Sequence, residues 1–189
     1  MSIILASASP RRRDLLSQVG CDFVVMASTI IEDNSKAVCP HELAVLQAKE
    51  KALDVFSKAQ AHDVVIGADT IVVLDGQVFG KPVDEEEARH MLTSLSGKEH
   101  QVITGIAVVT AKDILTDFVV TGVKMKDSKA EELESYLATG EPMDKAGAYA
   151  IQGVGALLVE GINGCYTNVV GLPLNKLAHL LKKAGVKLL

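Results

Sequence analysis

The sequence predicts an α/β protein built on a mixed, twisted sheet flanked by helices. Three observations carry that prediction. Short β-rich runs alternate with amphipathic helical runs through the first half of the chain, which is the order of parallel strands joined by crossover helices. The second half breaks the alternation with an Asp75-Gly76 hairpin signal and two long strand-like runs in succession, so antiparallel pairs join the parallel ones. The chain has 189 residues, 48% of them apolar and 23% charged, enough apolar material for one unit with a sizeable core. Residues 1–189 therefore read as a single domain.

Ser2 to Ala6 is a short apolar run suited to a buried strand. Ser9-Pro10 then places an N-cap residue before proline at the first helical position, and the helix from Arg11 to Val19 stops at Gly20. Cys21 to Ala27 reads as a strand and Ile30 to Pro40 as a polar loop. From His41 to Gln60, Leu43, Leu46, Ala52, Leu53 and Phe56 recur at largely helical spacing. Val64 to Ile66 and Ile71 to Leu74 are two β runs either side of Gly67-Ala68-Asp69-Thr70, which puts Asp69 at a strand end. The chain turns at Asp75-Gly76 and returns through Gln77 to Phe79.

Asp84 caps the next helix, with Glu87 placed to complete a capping box and Gly97 to end it. Val102 to Thr110 and Ile114 to Met125 are long strands, followed by a helix from Ser128 to Ala138. Beyond the glycine-rich stretch from Glu141 to Gly155, Ala156 to Val159 and Tyr166 to Val170 read as strands and Leu172 to Ala184 as the final helix.

Composition removes several classes of function. The Arg11-Arg12-Arg13 cluster follows the first apolar run, the wrong charge order for a secretory signal, and no stretch supplies the roughly 20 apolar residues of a membrane helix. Cys21, Cys39 and Cys165 are widely spaced and odd in number, which fits a reduced cytoplasm. A net charge of −5 and 4% aromatic residues argue against a polynucleotide-binding surface. The five histidines, His41, His62, His90, His100 and His179, lack metal-ligand spacing and read as surface or capping residues.

Three constellations carry chemistry. Ser7-Ala8-Ser9-Pro10-Arg11-Arg12-Arg13 puts cations in the first turn of a helix, where the macrodipole disfavours them. An anion bound by the free backbone N–H groups and the arginine forks would justify the placement; a solvated basic patch is the alternative. If an anion is the reason, replacing Arg11 or Arg12 by Gln holds or raises the ligand-free melting temperature. Asp69 within Gly67-Ala68-Asp69-Thr70 suits a Mg²⁺ ligand or a proton acceptor, against the plainer role of an Asx turn. Gly80-Lys81-Pro82 sets a lysine in a rigid loop, though not a P-loop, against the plainer role of a solvated lysine, and the small residues of the stretch from Glu141 to Gly153 leave room for a ligand beside Gln152, against the plainer role of a tight structural loop. Gly153-Val154-Gly155 is no dinucleotide fingerprint, because Leu158 occupies the third glycine's place.

Singly these signals are weak, but their order is specific: SASPRRRDLL, AKEKA, GADTIVVLDG, GKPVD, LSGKEHQVITG and EPMDKAGAYAIQGVGALLVEGINGCYTNVVGLPL. Together they resemble the Maf family of nucleoside triphosphate pyrophosphatases over nearly the whole chain. DKAGAYAIQG is similar to the branch acting on dTTP and UTP rather than the branch acting on 7-methyl-GTP. The resemblance implies two lobes around a nucleotide-binding cleft, in the manner of ITPases, and hydrolysis to the monophosphate and pyrophosphate with a divalent cation, Mg²⁺ or Mn²⁺.

By matching motifs, Asp69 corresponds to the family's catalytic acid. Arg11, Thr70 and Gln152 fall on positions of substrate choice, and Ser7, Arg12, Lys51, Lys81 and Glu32 on positions that bind phosphate or metal, with Asp69 and Glu32 the implied metal pair. Cys165 departs from the Ser or Asp expected there. The implied partner is the nucleotide itself, with no polynucleotide and no membrane, and the likeness admits a homodimer. Two other readings stay open, a non-catalytic nucleotide-binding regulator of septum formation and cell division, and a structural nucleotide-binding module. Retention of Asp69, Lys51 and Lys81 together favours the enzyme.

Overall fold

A computed structural model describes residues 1–34 and 39–188. Its sheet has seven strands: β1 (Ile3–Leu5), β2 (Val24–Val25), β3 (Val64–Leu74), β4 (Gln77–Phe79), β5 (Glu99–Val109), β6 (Ile114–Met125) and β7 (Val159–Asn163). The strand order is β2-β1-β3-β5-β6-β7, with β4 on β3. Parallel pairing of β1 with β2 and β3, and antiparallel pairing of β3 with β4 and β6 with β7, make the sheet mixed. The helices are α1 (Pro10–Gln18), α2 (Pro40–Phe56), α3 (Glu85–Leu95), α4 (Ala130–Leu137), α5 (Tyr166–Val170) and α6 (Leu174–Lys183).

The described residues form two compact units, and β3, β5 and β6 contribute to both. The first comprises Met1–Thr70, Thr104–Val119 and Gly171–Leu189. Its core sets Ile4, Val65, Ala107 and Val109 from the strands, with Ala6 just past β1, against Ala48, Ala52 and Val55 of α2. The second comprises Ile71–Ile103 and Val120–Val170, with Leu74, Phe79, Leu92, Leu95, Val102, Val123, Met125, Tyr136 and Tyr149 at its centre.

The hairpin turn and the Asp84 cap hold, while the capping box does not close and Ser9 precedes α1 without a side-chain cap bond. Asp75 and Gly76 both have positive φ, 51° and 83°, the backbone of a two-residue turn that matches the right-handed twist of its strands. Asp84 accepts from the Glu87 N–H at 2.8 Å, while the Glu87 carboxylate reaches one residue further back than a capping box requires, to the Val83 N–H at 2.7 Å.

Four expectations change. Val64 to Leu74 is one uninterrupted strand, so Asp69 lies in its interior and not at a strand end; the small residues of Gly67-Ala68 break the apolar run without breaking the backbone ladder. Only Val24 and Val25 of the stretch 21–27 pair as strand. Ala156 to Leu158 belong to a 3-10 segment, Gly153–Leu158, and the strand begins at Val159. Tyr166–Val170 is helical despite its β-branched residues, with the Asn168 and Val169 N–H groups returning to the Cys165 carbonyl. Part of the loop expected from Ile30 to Pro40 lies outside the described residues.

Candidate active site

The site in the first unit is built by the close approach of α2 to the sheet. Ala44, Ala48 and Ala52 recur at helical spacing along one stripe of α2, all fully buried. They face strand glycines: a Cβ built on Gly67 would lie 2.2 Å from the Ala48 carbonyl oxygen, and one on Gly105 would lie 2.3 Å from the Ala44 carbonyl. Backbone thus packs directly on backbone. Gly67 and Asp69 share a strand face because side chains alternate, so the Asp69 carboxylate emerges on the side that α2 covers.

There the buried Lys51 ammonium donates to Asp69 Oδ1 at 2.6 Å and to Glu32 Oε1 at 2.7 Å. Two carboxylates from distant segments therefore flank one point of positive charge. Hard oxygen donors of this kind suit Mg²⁺ or Mn²⁺, and Mg²⁺ is commonly held by one or two carboxylates plus substrate phosphates rather than by an all-protein cage. Among the described residues no group of three or more His, Cys, Asp or Glu side chains gathers as a metal-holding cluster.

Thr70, next along β3, points to the opposite face. Its hydroxyl lies 2.9 Å from that of the buried Thr104 and accepts from Arg12 Nη2 at 3.0 Å. The same guanidinium donates through Nε to the Gly171 carbonyl at 2.8 Å and through Nη1 to Ser7 Oγ at 3.2 Å. Gly171 has φ of +118°, a conformation that favours glycine, and it turns that carbonyl toward α1. Burial pulls the Arg12 guanidinium below its ordinary value, while the charges of Asp69 and Glu32 pull it up, so cation and carboxylates share one electrostatic neighbourhood. This engagement reverses the stability expectation for Arg12, which is a hydrogen-bonded member of the fold; Arg11 precedes it, half-buried in the same helical turn.

In the first unit Glu32, Lys51 and Asp69 are thus joined on one face of β3, and Ser7, Arg12 and Thr70 on the other. Lys81 and Gln152 belong to the second, both exposed. Gly147 N–H donates to the Gly80 carbonyl at 2.9 Å, tying the lysine's loop to the stretch that leads to Gln152. Gln152 precedes the 3-10 segment whose Val154 and Gly155 N–H groups both donate to the Glu141 carboxylate at 3.0 Å.

The Maf-like protein family model matches residues 2–184. This chain belongs to the Maf family. A Maf relative from Clostridioides difficile, named dTTP/UTP pyrophosphatase, is 50% identical over 97% of this chain and 95% of its own. Relatives of the same name from Acetivibrio thermocellus and Pelotomaculum thermopropionicum are 48% and 49% identical, covering 100% and 99% of this chain and 98% of each of theirs. A solved structure titled as the Staphylococcus aureus Ham1 protein superposes with a TM-score of 0.46 at 16% identity, over 68% of this chain and 74% of that one.

Sequence reasoning missed four features of this candidate site and one outside it. Thr104 stood inside an apolar strand run, and its signal was a hydroxyl at a position that is otherwise core. Gly171, the alanine stripe on α2 and the strand glycines were each visible as residue types, but their pairing needed the packed structure. His100 was read as a surface residue; it is buried, with Nε2 2.7 Å from the Tyr149 hydroxyl, and burial pushes its imidazole down to about 4.

Proposed function

We propose that this Maf-family chain is a nucleoside triphosphate pyrophosphatase that hydrolyses dTTP and UTP to the nucleoside monophosphate and pyrophosphate. The observation that carries the reading is the Lys51 ammonium held between the Asp69 and Glu32 carboxylates in a chain of this family. The name shared by relatives at 48–50% identity supports the choice of nucleotide.

Cleavage between the α and β phosphates forms a bond from water oxygen to the α phosphorus and breaks the bridge to the β phosphate, so the protein mainly positions groups and neutralises charge. Arg12, Lys51 and Lys81 supply positive charge to phosphate oxygens, Ser7 a hydroxyl, and Asp69 orients the attacking water and takes its proton. Glu32 and Asp69 are the side chains that would hold Mg²⁺ or Mn²⁺, which when bound neutralises phosphate charge. Arg11, Thr70 and Gln152 set substrate choice. The Gln152 amide offers both an acceptor for the N3–H of uracil or thymine and a donor for its carbonyl, and cytosine presents the reverse at N3. Because thymine carries a 5-methyl group, the site also takes modified pyrimidines such as 5-methyl-UTP.

A reducing cytoplasm is the compartment that three widely spaced cysteines support, and among the described residues no helix is long and apolar enough to cross a membrane. A free nucleotide and not a polynucleotide is the substrate of a chain with net charge −5. Sedimentation velocity tests the homodimer that the family likeness admits.

A nucleotide panel with Mg²⁺ or Mn²⁺, reading monophosphate and pyrophosphate separately, tests the reading. The expected products are dTMP or UMP with pyrophosphate; orthophosphate with diphosphate would mean cleavage at the γ position and a different mechanism. Asp69→Asn is expected to lower turnover by about 10²-fold or more with the fold intact.

A further inference from the structure

Glu32 sits on a segment with little structure of its own: among residues 26–34 only a turn at Asn34 is regular. Its position is set from one stripe of α2. Gln47, Lys51 and Asp54 follow at spacings of four and three, one above another on a helix. Gln47 Nε2 donates to Asn34 Oδ1 at 2.9 Å, Lys51 takes the Glu32 carboxylate, and Asp54 Oδ2 accepts from Ser28 Oγ at 2.8 Å and from the Thr29 N–H at 2.9 Å. Ser28 Oγ in turn accepts from the Ile30 N–H at 3.1 Å, and Lys58 Nζ donates to the other Asp54 oxygen at 2.7 Å. The Glu32 carboxylate is therefore bracketed on both sides by contacts from α2.

We infer that Asp54 and Gln47 are positioning residues for Glu32, fixing the backbone on either side of it so that its carboxylate meets Lys51 and Asp69. The inference rests on the proposed reaction for its catalytic consequence, but the placement itself is measurable without turnover. Asp54 has the larger effect, because one carboxylate oxygen gathers the Ser28 and Thr29 hydroxyls and the Thr29 backbone N–H, and an acceptor lost there releases adjacent residues from α2 to water. A displacement on the order of 1 Å at a reacting group costs up to about 10²-fold.

The test compares Asp54→Ala, Asp54→Asn and Gln47→Leu in the full chain, each with Glu32 and with Glu32→Gln. Amide hydrogen exchange at Thr29 and Ile30 and the carbon-13 resonance of the Glu32 carboxylate read placement; pyrophosphate release from dTTP reads its consequence. Asp54→Ala is expected to expose both amides, move the Glu32 resonance and lower kcat about tenfold or more beside intact Glu32. Beside Glu32→Gln it should lower kcat no further. Asp54→Asn, which keeps an acceptor oxygen, should restore most of the protection, and Lys58→Met should leave activity unchanged. Ser28→Ala gives a milder form of the same loss if Asp54→Ala does not fold. Equal losses with and without Glu32, or an unmoved Glu32 resonance with unchanged amide protection, would overturn the inference. Should the unmodified chain release no pyrophosphate while the exchange and resonance changes appear, the proposed reaction fails and the positioning stands.

Discussion

Gly67→Ala tests whether backbone contact between α2 and the sheet creates the site. The added Cβ would sit 2.2 Å from the Ala48 carbonyl oxygen and 2.8 Å from the Ala52 Cβ, where ordinary contact begins near 3.4 Å. The helix or the strand must therefore give way by about 1.2 Å, the shortfall between those two distances. The nearest atom is helix backbone, so no rotamer change relieves the clash, and the cost falls toward the upper end of about 1–3 kcal/mol for an overpacked core. Lys51 lies between Ala48 and Ala52 in the chain and moves with them, separating its ammonium from Asp69. Turnover should then fall by about 10²-fold. Urea unfolding and pyrophosphate release measure the two effects, with Gly161→Ala, where nothing lies within 4 Å of the added carbon, as the control. Wild-type stability and turnover in Gly67→Ala would refute the packing argument, as would full rescue by Ala52→Gly, which removes the side-chain contact but not the carbonyl.

Arg12→Gln should lower the melting temperature of the ligand-free protein by removing three hydrogen bonds from a charged donor, a loss of about 2 kcal/mol, while the exposed Arg13→Gln stays within about 0.5 kcal/mol; calorimetry of both variants decides. For His100, burial holds the folded imidazole at about 4, below its unfolded value of 6.5, so between those limits the unfolded chain binds a proton that the folded chain does not. Stability from neutral His100 is complete above about pH 6.5 and declines toward pH 4, by up to about 3 kcal/mol at 1.36 kcal/mol per unit; His100→Gln should remove that part of the dependence in urea unfolding across the window. Glu141→Ala should expose the Val154 and Gly155 amides to hydrogen exchange and leave the Tyr136 hydroxyl without its acceptor, at about 1–3 kcal/mol. Unchanged protection at both amides would show that the carboxylate does not hold the loop beside Gln152.

By itself the sequence determined the mixed α/β class, the type of most elements, the Asp75-Gly76 turn and the Asp84 cap, because these depend on periodicity and on residues whose backbone preferences act locally. It also determined the family, through motifs whose order runs the length of the chain. What it misread were segments where local preference and tertiary pairing disagree: Tyr166–Val170 has strand composition but closes a helical turn, and Gly67-Ala68 interrupts an apolar run without interrupting a strand. Only the tertiary structure decided that Lys51 meets both Glu32 and Asp69, that Arg12 is bound to Gly171 and Thr70, and that Gln47 and Asp54 grip the segment around Glu32. Each of these joins residues well apart in the chain, and no local rule carries that information. It arises where Gly67 and Gly105 leave no side chain between the sheet and the alanine stripe of α2, letting the helix come close enough for Lys51 to reach Asp69 on the strand.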